Sequence, residues 1–168
     1  EYLLCAGRQA VQRSADAGAV AHLTTALALL QTLPDTPERA RQELDLQLTL
    51  GPAWMATKGF AAPQVEATYD RALALCRQLG DTSQVFPALL GLRTFFIVRG
   101  KLRTARELSE QLLAMAREAQ DPALLVQAHR ALGTSLLCLG ELEPARAQLE
   151  QALSLYDPGR HESPAIFQ

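Results

Sequence analysis

Apolar residues recur every three or four positions along most of the chain, the spacing that places side chains on one face of a helix. Near the C-terminal end, one such apolar face comprises Leu125, Ala128, Leu132, Leu136 and Leu139. Gly140 ends it, and a second apolar face beyond Pro144 comprises Ala145, Leu149, Ala152, Leu153 and Tyr156. Pro144 is tolerated in the first turn of a helix, where its missing N–H costs nothing. The two apolar faces predict a pair of antiparallel helices joined by a short turn.

Helical pairs of this kind recur at a fixed spacing. Three dipeptides in predicted second helices are 40 residues apart each time: Ala72-Leu73, Leu112-Leu113 and Ala152-Leu153. A period of roughly 20 to 50 residues is typical of solenoids, in which each unit buries its apolar face by stacking on the next. We therefore predict an all-α, right-handed solenoid of about four antiparallel hairpins. They span residues 2–33, 38–79, 83–119 and 122–156 of a single domain, 1–168, with a tail at 157–168.

Glycine and proline positions set the expected helix limits. The predicted helices include residues 2–13, 17–33, 42–57, 63–79, 84–98 and 122–139. Pro52 is expected to kink the helix at 42–57. Inward-facing residues should form one continuous core, made of Leu92, Phe96, Leu108, Leu112, Leu132, Leu136, Leu149 and Leu153. Solenoid ends need polar capping helices, and none is evident, so we expect either self-association through the ends or a tail that folds back on the last hairpin.

Composition and charge narrow the class of protein. The 168-residue chain carries a formal net charge of -2, whereas a nucleic-acid-binding protein shows a basic face. No apolar run approaches the ~20 residues that a membrane-spanning helix needs, and no basic segment followed by an apolar core opens the chain. We expect a soluble, cytoplasmic protein without nucleic-acid or membrane partners. The chain begins without an initiator Met, so we expect it to be part of a larger protein.

Residues suited to catalysis or metal binding are scarce. Gly100-Lys101 is not a phosphate-binding loop, because Phe95 stands in place of the first glycine and Leu102 in place of the hydroxyl residue. No metal-ligand spacing connects the histidines, which are His22, His129 and His161. Three widely separated cysteines favour buried free thiols over disulfides; they are Cys5, Cys76 and Cys138. We predict no catalytic site, no metal site, no cofactor and no enzymatic activity.

Part of the pattern resembles the tetratricopeptide repeat (TPR), whose helix pairs carry small and large apolar residues in a set order: Leu132-Gly133, Leu136, Gly140, Ala145, Leu149, Ala152 and Pro158. Leu50-Gly51 and Trp54 are similar to its first helix again. The period differs from the TPR period of about 34 residues, and Arg93 stands where the third unit should have the small glycine. The resemblance implies a TPR-like fold with longer helices and a less regular superhelix.

Longer stretches resemble the C-terminal helical-repeat region of large bacterial signalling proteins. Those proteins join a class III nucleotidyl (adenylate or guanylate) cyclase domain and a regulatory ATPase domain to such repeats. The similar stretches are residues 46–57, 59–80, 99–108 and 131–158. The resemblance implies a sensor or docking arm, with the catalytic domains lying N-terminal to Glu1.

Two surfaces are candidates for partner binding. In TPR-like repeats the first helix of each hairpin lines the concave groove, and its residues not used in packing face that groove. These residues are Leu48, Pro52, Met55, Leu90, Thr94, Ile97, Arg130, Thr134 and Leu137. They are mostly apolar and favour a peptide with apolar anchors, with Arg130 binding one acidic group. A basic cluster near the third hairpin turn is a possible contact for an acidic partner; it comprises Arg99, Lys101, Arg103 and Arg106.

These observations predict a non-catalytic protein-interaction and regulatory scaffold. Its partner is a protein, a peptide or the neighbouring domains of the same chain. Several alternatives stay open. The groove residues could pack on each other if longer helices close the superhelix, and the basic cluster could be a solvated turn. The whole chain could also be a structural oligomerisation spacer, or a small-ligand sensor with a closed apolar pocket.

Overall fold

The computed structural model of the protein describes residues 16–157. These residues form seven α-helices and no β-strand: α1 (Asp16–Leu30), α2 (Pro37–Lys58), α3 (Pro63–Leu79), α4 (Val85–Val98), α5 (Leu102–Ala119), α6 (Pro122–Cys138) and α7 (Leu142–Leu155). The all-α fold class predicted from the sequence is confirmed. The predicted helix at residues 2–13 and the tail beyond residue 157 lie outside the described residues.

Prolines mark the starts of three helices, at Pro37, Pro63 and Pro122. A proline in the first turn costs no hydrogen bond, because the N–H groups there have no partner within the helix. Thr36 caps α2, since its hydroxyl accepts a hydrogen bond from the Arg39 N–H at 3.2 Å. The structure therefore starts α2 at Pro37, earlier than the predicted start at residue 42. The helix continues through Pro52 to Lys58.

The chain divides into two compact units, Glu1–Gly100 and Lys101–Gln168. The division falls in the turn between α4 and α5, the two helices of the predicted third hairpin. The first unit contains α1 to α4. In it α1 packs on α2, α2 on α3 and α3 on α4, and α2 also contacts α4. The core between α1 and α2 is formed by Ala19, Leu23, Leu30, Leu46, Leu50 and Ala53.

A buried tyrosine on α3 fills the space left by two glycines. A Cβ atom added at Gly51 of α2 or at Gly91 of α4 would overlap the ring of Tyr69. Both helices approach α3 closely because these two positions carry no side chain. The sequence pattern assigned the place of the small glycine in α4 to Arg93. Gly91, two residues earlier, is the glycine of α4 that meets the tyrosine of the preceding hairpin, and Arg93 is buried.

The second unit contains α5, α6 and α7, and α6 packs on both of its neighbours. Between α5 and α6 two fully buried hydroxyls meet, with Ser109 Oγ 2.9 Å from Ser135 Oγ. Between α6 and α7, a Cβ atom added at Gly133 would lie 2.7 Å from Leu149 Cγ. It would also lie 3.2 Å from the carbonyl oxygen of Ala145. The small residues Gly133 and Ala145 therefore let α6 and α7 approach closely.

One predicted core residue lies on the surface. Leu153 of α7 is 73% exposed, and Leu142 at the start of the same helix is 63% exposed. The buried residues of α7 are Ala145 and Ala152. Leu153 directly follows Ala152, and neighbouring residues point about 100° apart around a helix. The prediction that Leu153 belongs to the core is therefore wrong.

Candidate partner-binding surfaces

The first unit carries six of the nine predicted groove residues. We call them the stripe; they are Leu48, Pro52 and Met55 on α2, and Leu90, Thr94 and Ile97 on α4. Pro52 is exposed and the other five are half-buried. The steps of four and three residues within each set place its members on one face of their helix. Because α2 and α4 contact each other, the stripe runs over two neighbouring helices.

The stripe is apolar except for one hydroxyl. Thr94 Oγ1 donates a hydrogen bond to the Leu90 carbonyl oxygen at 2.9 Å, so this hydroxyl is used within α4. The fully buried residues of the two helices are different ones and include Leu44, Ala53, Ala88 and Phe95. The stripe residues thus keep part of their surface in contact with solvent, as a partner-binding surface requires.

The remaining three predicted groove residues lie on α6 in the second unit. Arg130 is exposed, Thr134 is half-buried and Leu137 is 51% exposed. Thr134 Oγ1 donates to the Arg130 carbonyl oxygen at 2.8 Å. This repeats the arrangement of Thr94 on α4. The guanidinium of Arg130 and the side chain of Leu137 are the accessible groups of this set.

Arg106 of the predicted basic cluster is paired with two glutamates. Arg106 donates from Nε to Glu110 Oε1 and from Nη1 to Glu141 Oε1, both at 2.9 Å. Glu110 is the larger cause of the raised pKa of Arg106. Glu141 precedes α7, so this arginine connects α5 to the start of α7 within the second unit. The other members are exposed: Arg99, which ends α4 in the first unit, and Lys101 and Arg103 in the second.

The first unit also contains a pocket that the sequence does not indicate. Its volume is about 250 Å³, and its walls come from α1, α2 and α3: Leu27, Gln47, Leu50, Trp54, Gln64, Ala67 and Thr68. The α2 residues of this pocket, Gln47, Leu50 and Trp54, follow one another at steps of three and four. With 100° per residue, their face of α2 is well separated from the face that carries the stripe. The sequence indicates only a TPR-like position at Trp54, because a pocket formed by three helices leaves no pattern within one of them.

The described residues suited to catalysis or metal binding either have structural partners or are too far from one another to form a site. His129 is buried, and its Nδ1 is 2.8 Å from Gln148 Oε1, so it joins α6 to α7. Cys76 is buried as predicted, but Cys138 is exposed, which corrects the prediction for that thiol. Within residues 16–157, no group of three or more His, Cys, Asp or Glu side chains is placed to hold a metal ion. In the same range, no helix is both long and apolar enough to cross a membrane.

Comparison with solved structures found helical proteins of similar fold. The apo form of RapI has a TM-score of 0.82, covers 96% of this chain and is 17% identical in sequence. The TPR domain of Arabidopsis FLU has a TM-score of 0.62, covers 68% of this chain and 95% of its own length, and is 23% identical. The present chain spans 57% of the RapI chain. Comparisons with protein-family models and with curated proteins found no match.

These neighbours define the class of fold. The chain has an all-helical, TPR-like solenoid fold. At 17% and 23% identity the likeness concerns the fold alone.

Proposed function

We propose that this chain is a non-catalytic protein-interaction and regulatory module, and that the stripe is its main partner-binding surface. The observation that carries the proposal is the position of the six stripe residues. They keep solvent contact on one face of each of two adjacent helices, although all of them except Thr94 are apolar. Accessible apolar surface shared between neighbouring elements is a common mark of a protein-binding site.

The chemistry of the surface favours a peptide or protein segment with apolar anchors. Met55 is flexible and polarisable, and therefore adapts to anchors of different shape. Pro52 has no N–H to donate to the carbonyl of Leu48, so the regular hydrogen bond between these positions of α2 is missing. On α6, Arg130 and Leu137 offer one cationic and one apolar contact, and we assign Arg130 to an acidic group of the partner. Lys101 and Arg103 in the second unit provide a further contact for an acidic partner, and Arg99 in the first unit provides a separate one.

The biological setting is a further part of the proposal. We place the module in a larger cytoplasmic bacterial signalling protein, next to a class III nucleotidyl cyclase domain and a regulatory ATPase domain. The support is the resemblance of residues 46–57, 59–80, 99–108 and 131–158 to the repeat regions of such proteins. In that setting the partner is either a separate protein or a neighbouring domain of the same chain.

A second candidate function is oligomerisation through α7. The supporting observation is the exposed apolar surface of α7 and its C-terminal end, where Leu142, Leu153 and Tyr156 are exposed. Exposed apolar side chains of this size favour burial against a partner. A second copy of the chain would supply such a partner.

The stripe is tested by introducing charge. We would compare the wild-type chain with the double variant Met55→Glu/Ile97→Glu, which tests the stripe, and with Leu137→Glu, which tests the contact on α6, in crosslinking and pull-down from the native cell. The control is Ala74→Glu, which adds one glutamate at an exposed position of α3 outside the stripe. Circular dichroism would establish that each variant folds. We expect folded stripe variants to lose partners that the control retains.

Two outcomes would contradict the proposal. If the variants unfold while the control does not, the stripe residues serve internal packing, as the alternative interpretation holds. If the variants fold and retain every native partner, the stripe is not the binding surface.

A further inference from the structure

We propose that the pocket between α1, α2 and α3 is a second binding site, which accepts one aromatic or leucine-sized side chain from an uncharged segment of a partner protein. The pocket's polar groups then bind the main chain of that segment. The site is separate from the stripe, because the two use different faces of α2.

The floor of the pocket is apolar. Leu27 and Trp54 are partly buried and pack on the core between α1 and α2, to which Leu50 belongs. Their packing holds the floor in place, and an indole ring is a large, rigid contact surface for an apolar group. The volume of about 250 Å³ is below the roughly 300 to 1,000 Å³ of pockets that bind whole small molecules. The pocket therefore suits a single side chain better than a complete small ligand.

Three polar side chains of the lining have unused hydrogen-bonding capacity. Thr49 and Thr57 of α2 donate to carbonyl oxygens four residues earlier, at 2.7 and 2.8 Å. Thr68 is 6% exposed, yet its hydroxyl forms no such bond within residues 16–157. The carboxamides of Gln47 and Gln64 likewise have no hydrogen-bond partner in that range. These groups can therefore bond to a ligand without breaking a hydrogen bond within the described residues.

The character of these groups identifies the ligand. All seven lining residues are uncharged. A carboxamide both donates and accepts hydrogen bonds, as a peptide group does. Two carboxamides beside an apolar floor match an apolar side chain flanked by peptide bonds, whereas a charged ligand would find no counter-charge in the lining. This distinguishes the pocket from the Arg130 region, which we assign to an acidic group.

The single tryptophan of the chain makes the site directly observable, because Trp54 lies in its lining. The probes are N-acetyl-phenylalanine amide and N-acetyl-alanine amide, which differ only in the anchor. Binding is followed by Trp54 fluorescence and by NMR shifts, including the side-chain amide signals of Gln47 and Gln64. We expect saturable changes confined to the pocket with the phenylalanine probe, and binding at least about tenfold weaker with the alanine probe.

Variants of α3 provide the decisive comparison. Ala67→Glu places a charge in the pocket lining at an exposed position and should weaken the phenylalanine probe about tenfold or more. Ala74→Glu carries the same change two turns further along α3 and should bind like wild type. If Ala67→Glu does not fold, Gln64→Glu introduces a charge in the lining without a change of size. Equal binding of the two probes, shifts spread beyond the pocket, or unaltered binding by the pocket variant would overturn the proposal. None of these results would bear on the stripe.

Discussion

Two glycines on different helices make room for one tyrosine ring. Gly51 of α2 and Gly91 of α4 both face Tyr69, which is buried on α3. The ring cannot move aside into solvent, because helices cover it on more than one side. Burial also raises the pKa of the Tyr69 hydroxyl, since the phenolate is disfavoured away from water. These three residues therefore set the distances between the helices of the first unit.

The first prediction concerns this packing. Gly91→Ala should lower the free energy of unfolding by about 1 to 3 kcal/mol, because an added methyl group overlaps the Tyr69 ring. Gly18→Ala is the control, since nothing lies within 4 Å of its added Cβ and alanine is the better helix former. Urea denaturation should show the control to be as stable as wild type or more so. In a Tyr69→Ala background the cost of Gly91→Ala should largely disappear; an undiminished cost would contradict the overlap.

The second prediction concerns the two described thiols. Burial, reinforced by the nearby Asp81 carboxylate, raises the pKa of the Cys76 thiol. A raised pKa lowers the fraction of reactive thiolate. Cys138 is exposed. Under native conditions iodoacetamide should modify Cys138 faster than Cys76 by about tenfold or more. Mass spectrometry of peptides from timed samples measures each site, and the two rates should converge in denaturant. Similar native rates would contradict the burial of Cys76.

Residue types alone identified some close contacts and missed others. The crossing at Gly133 was predictable, because a TPR-like order of small and large residues surrounds it on both helices. The contact of Gly91 with Tyr69 was not, because it joins helices of different hairpins. The TPR-like spacing describes the pairing within one hairpin, so it does not indicate this contact. Sequence spacing resolves local neighbours better than those between repeats.

At the scale of elements, helix limits were predictable wherever a local signal determines them. The helix predicted at residues 63–79 has those limits in the structure, from Pro63 at its start to Gly80 in a left-handed conformation after its end. The start of α2 was missed, because Pro37 follows Pro34 closely and the segment reads as a break. A proline just before a helix and a proline in its first turn look alike in the sequence.

An ion pair joins two of these helices. Arg71 of α3 donates from Nε and Nη2 to the two carboxylate oxygens of Glu43 on α2, at 2.6 and 2.9 Å. The Glu43 side chain is buried, whereas that of Arg71 is 44% exposed. The hydrogen bond to Glu43 is the main cause of the raised pKa of Arg71. The bidentate geometry fixes the rotation of α3 relative to α2.

The third prediction is the cost of breaking that pair. Arg71→Ala leaves the buried Glu43 carboxylate without its partner, and full burial would make this cost roughly 3 to 5 kcal/mol. Solvent reaches Arg71, so we expect a loss of about 2 kcal/mol in the free energy of unfolding. Arg41→Ala removes a contact with Glu38 in which both side chains are exposed, and should change stability by less than about 0.5 kcal/mol. Equal effects of the two substitutions in thermal or urea denaturation would show that burial of Glu43 is not the cause.

At the scale of the whole molecule, the fold class was accessible from the sequence and the pocket was not. Repeats with a fixed period define stacked helix pairs, and the predicted stripe followed from the phase of the same helices. The pocket combines Leu27 of α1 with Trp54 of α2 and Thr68 of α3, and no spacing within one helix relates these residues. Whether a polar side chain of its lining has a hydrogen-bond partner depends on the three-dimensional contacts, which the sequence does not show.

The last prediction concerns association between molecules. Leu153 is 73% exposed, Leu142 63% and Tyr156 49%, all at or near α7. Burying such side chains against a second molecule is favourable, by roughly 25 cal/mol for each Å² of apolar surface removed from water. The wild-type chain should therefore sediment as a concentration-dependent mixture of monomer and dimer. Leu153→Glu should shift this mixture to monomer, because a charge would be buried in the contact.

Gln151→Glu is the matched control, since it adds a charge at another exposed position of α7. It should leave association unchanged if the contact is centred on Leu153. The sequence also predicts that the tail can cover the last hairpin, so a chain shortened after Asp157 should associate more strongly than wild type. Sedimentation velocity on all four proteins separates these cases. Strict monomers at every concentration, for the shortened chain as well, would exclude both the oligomerisation function and a protective tail.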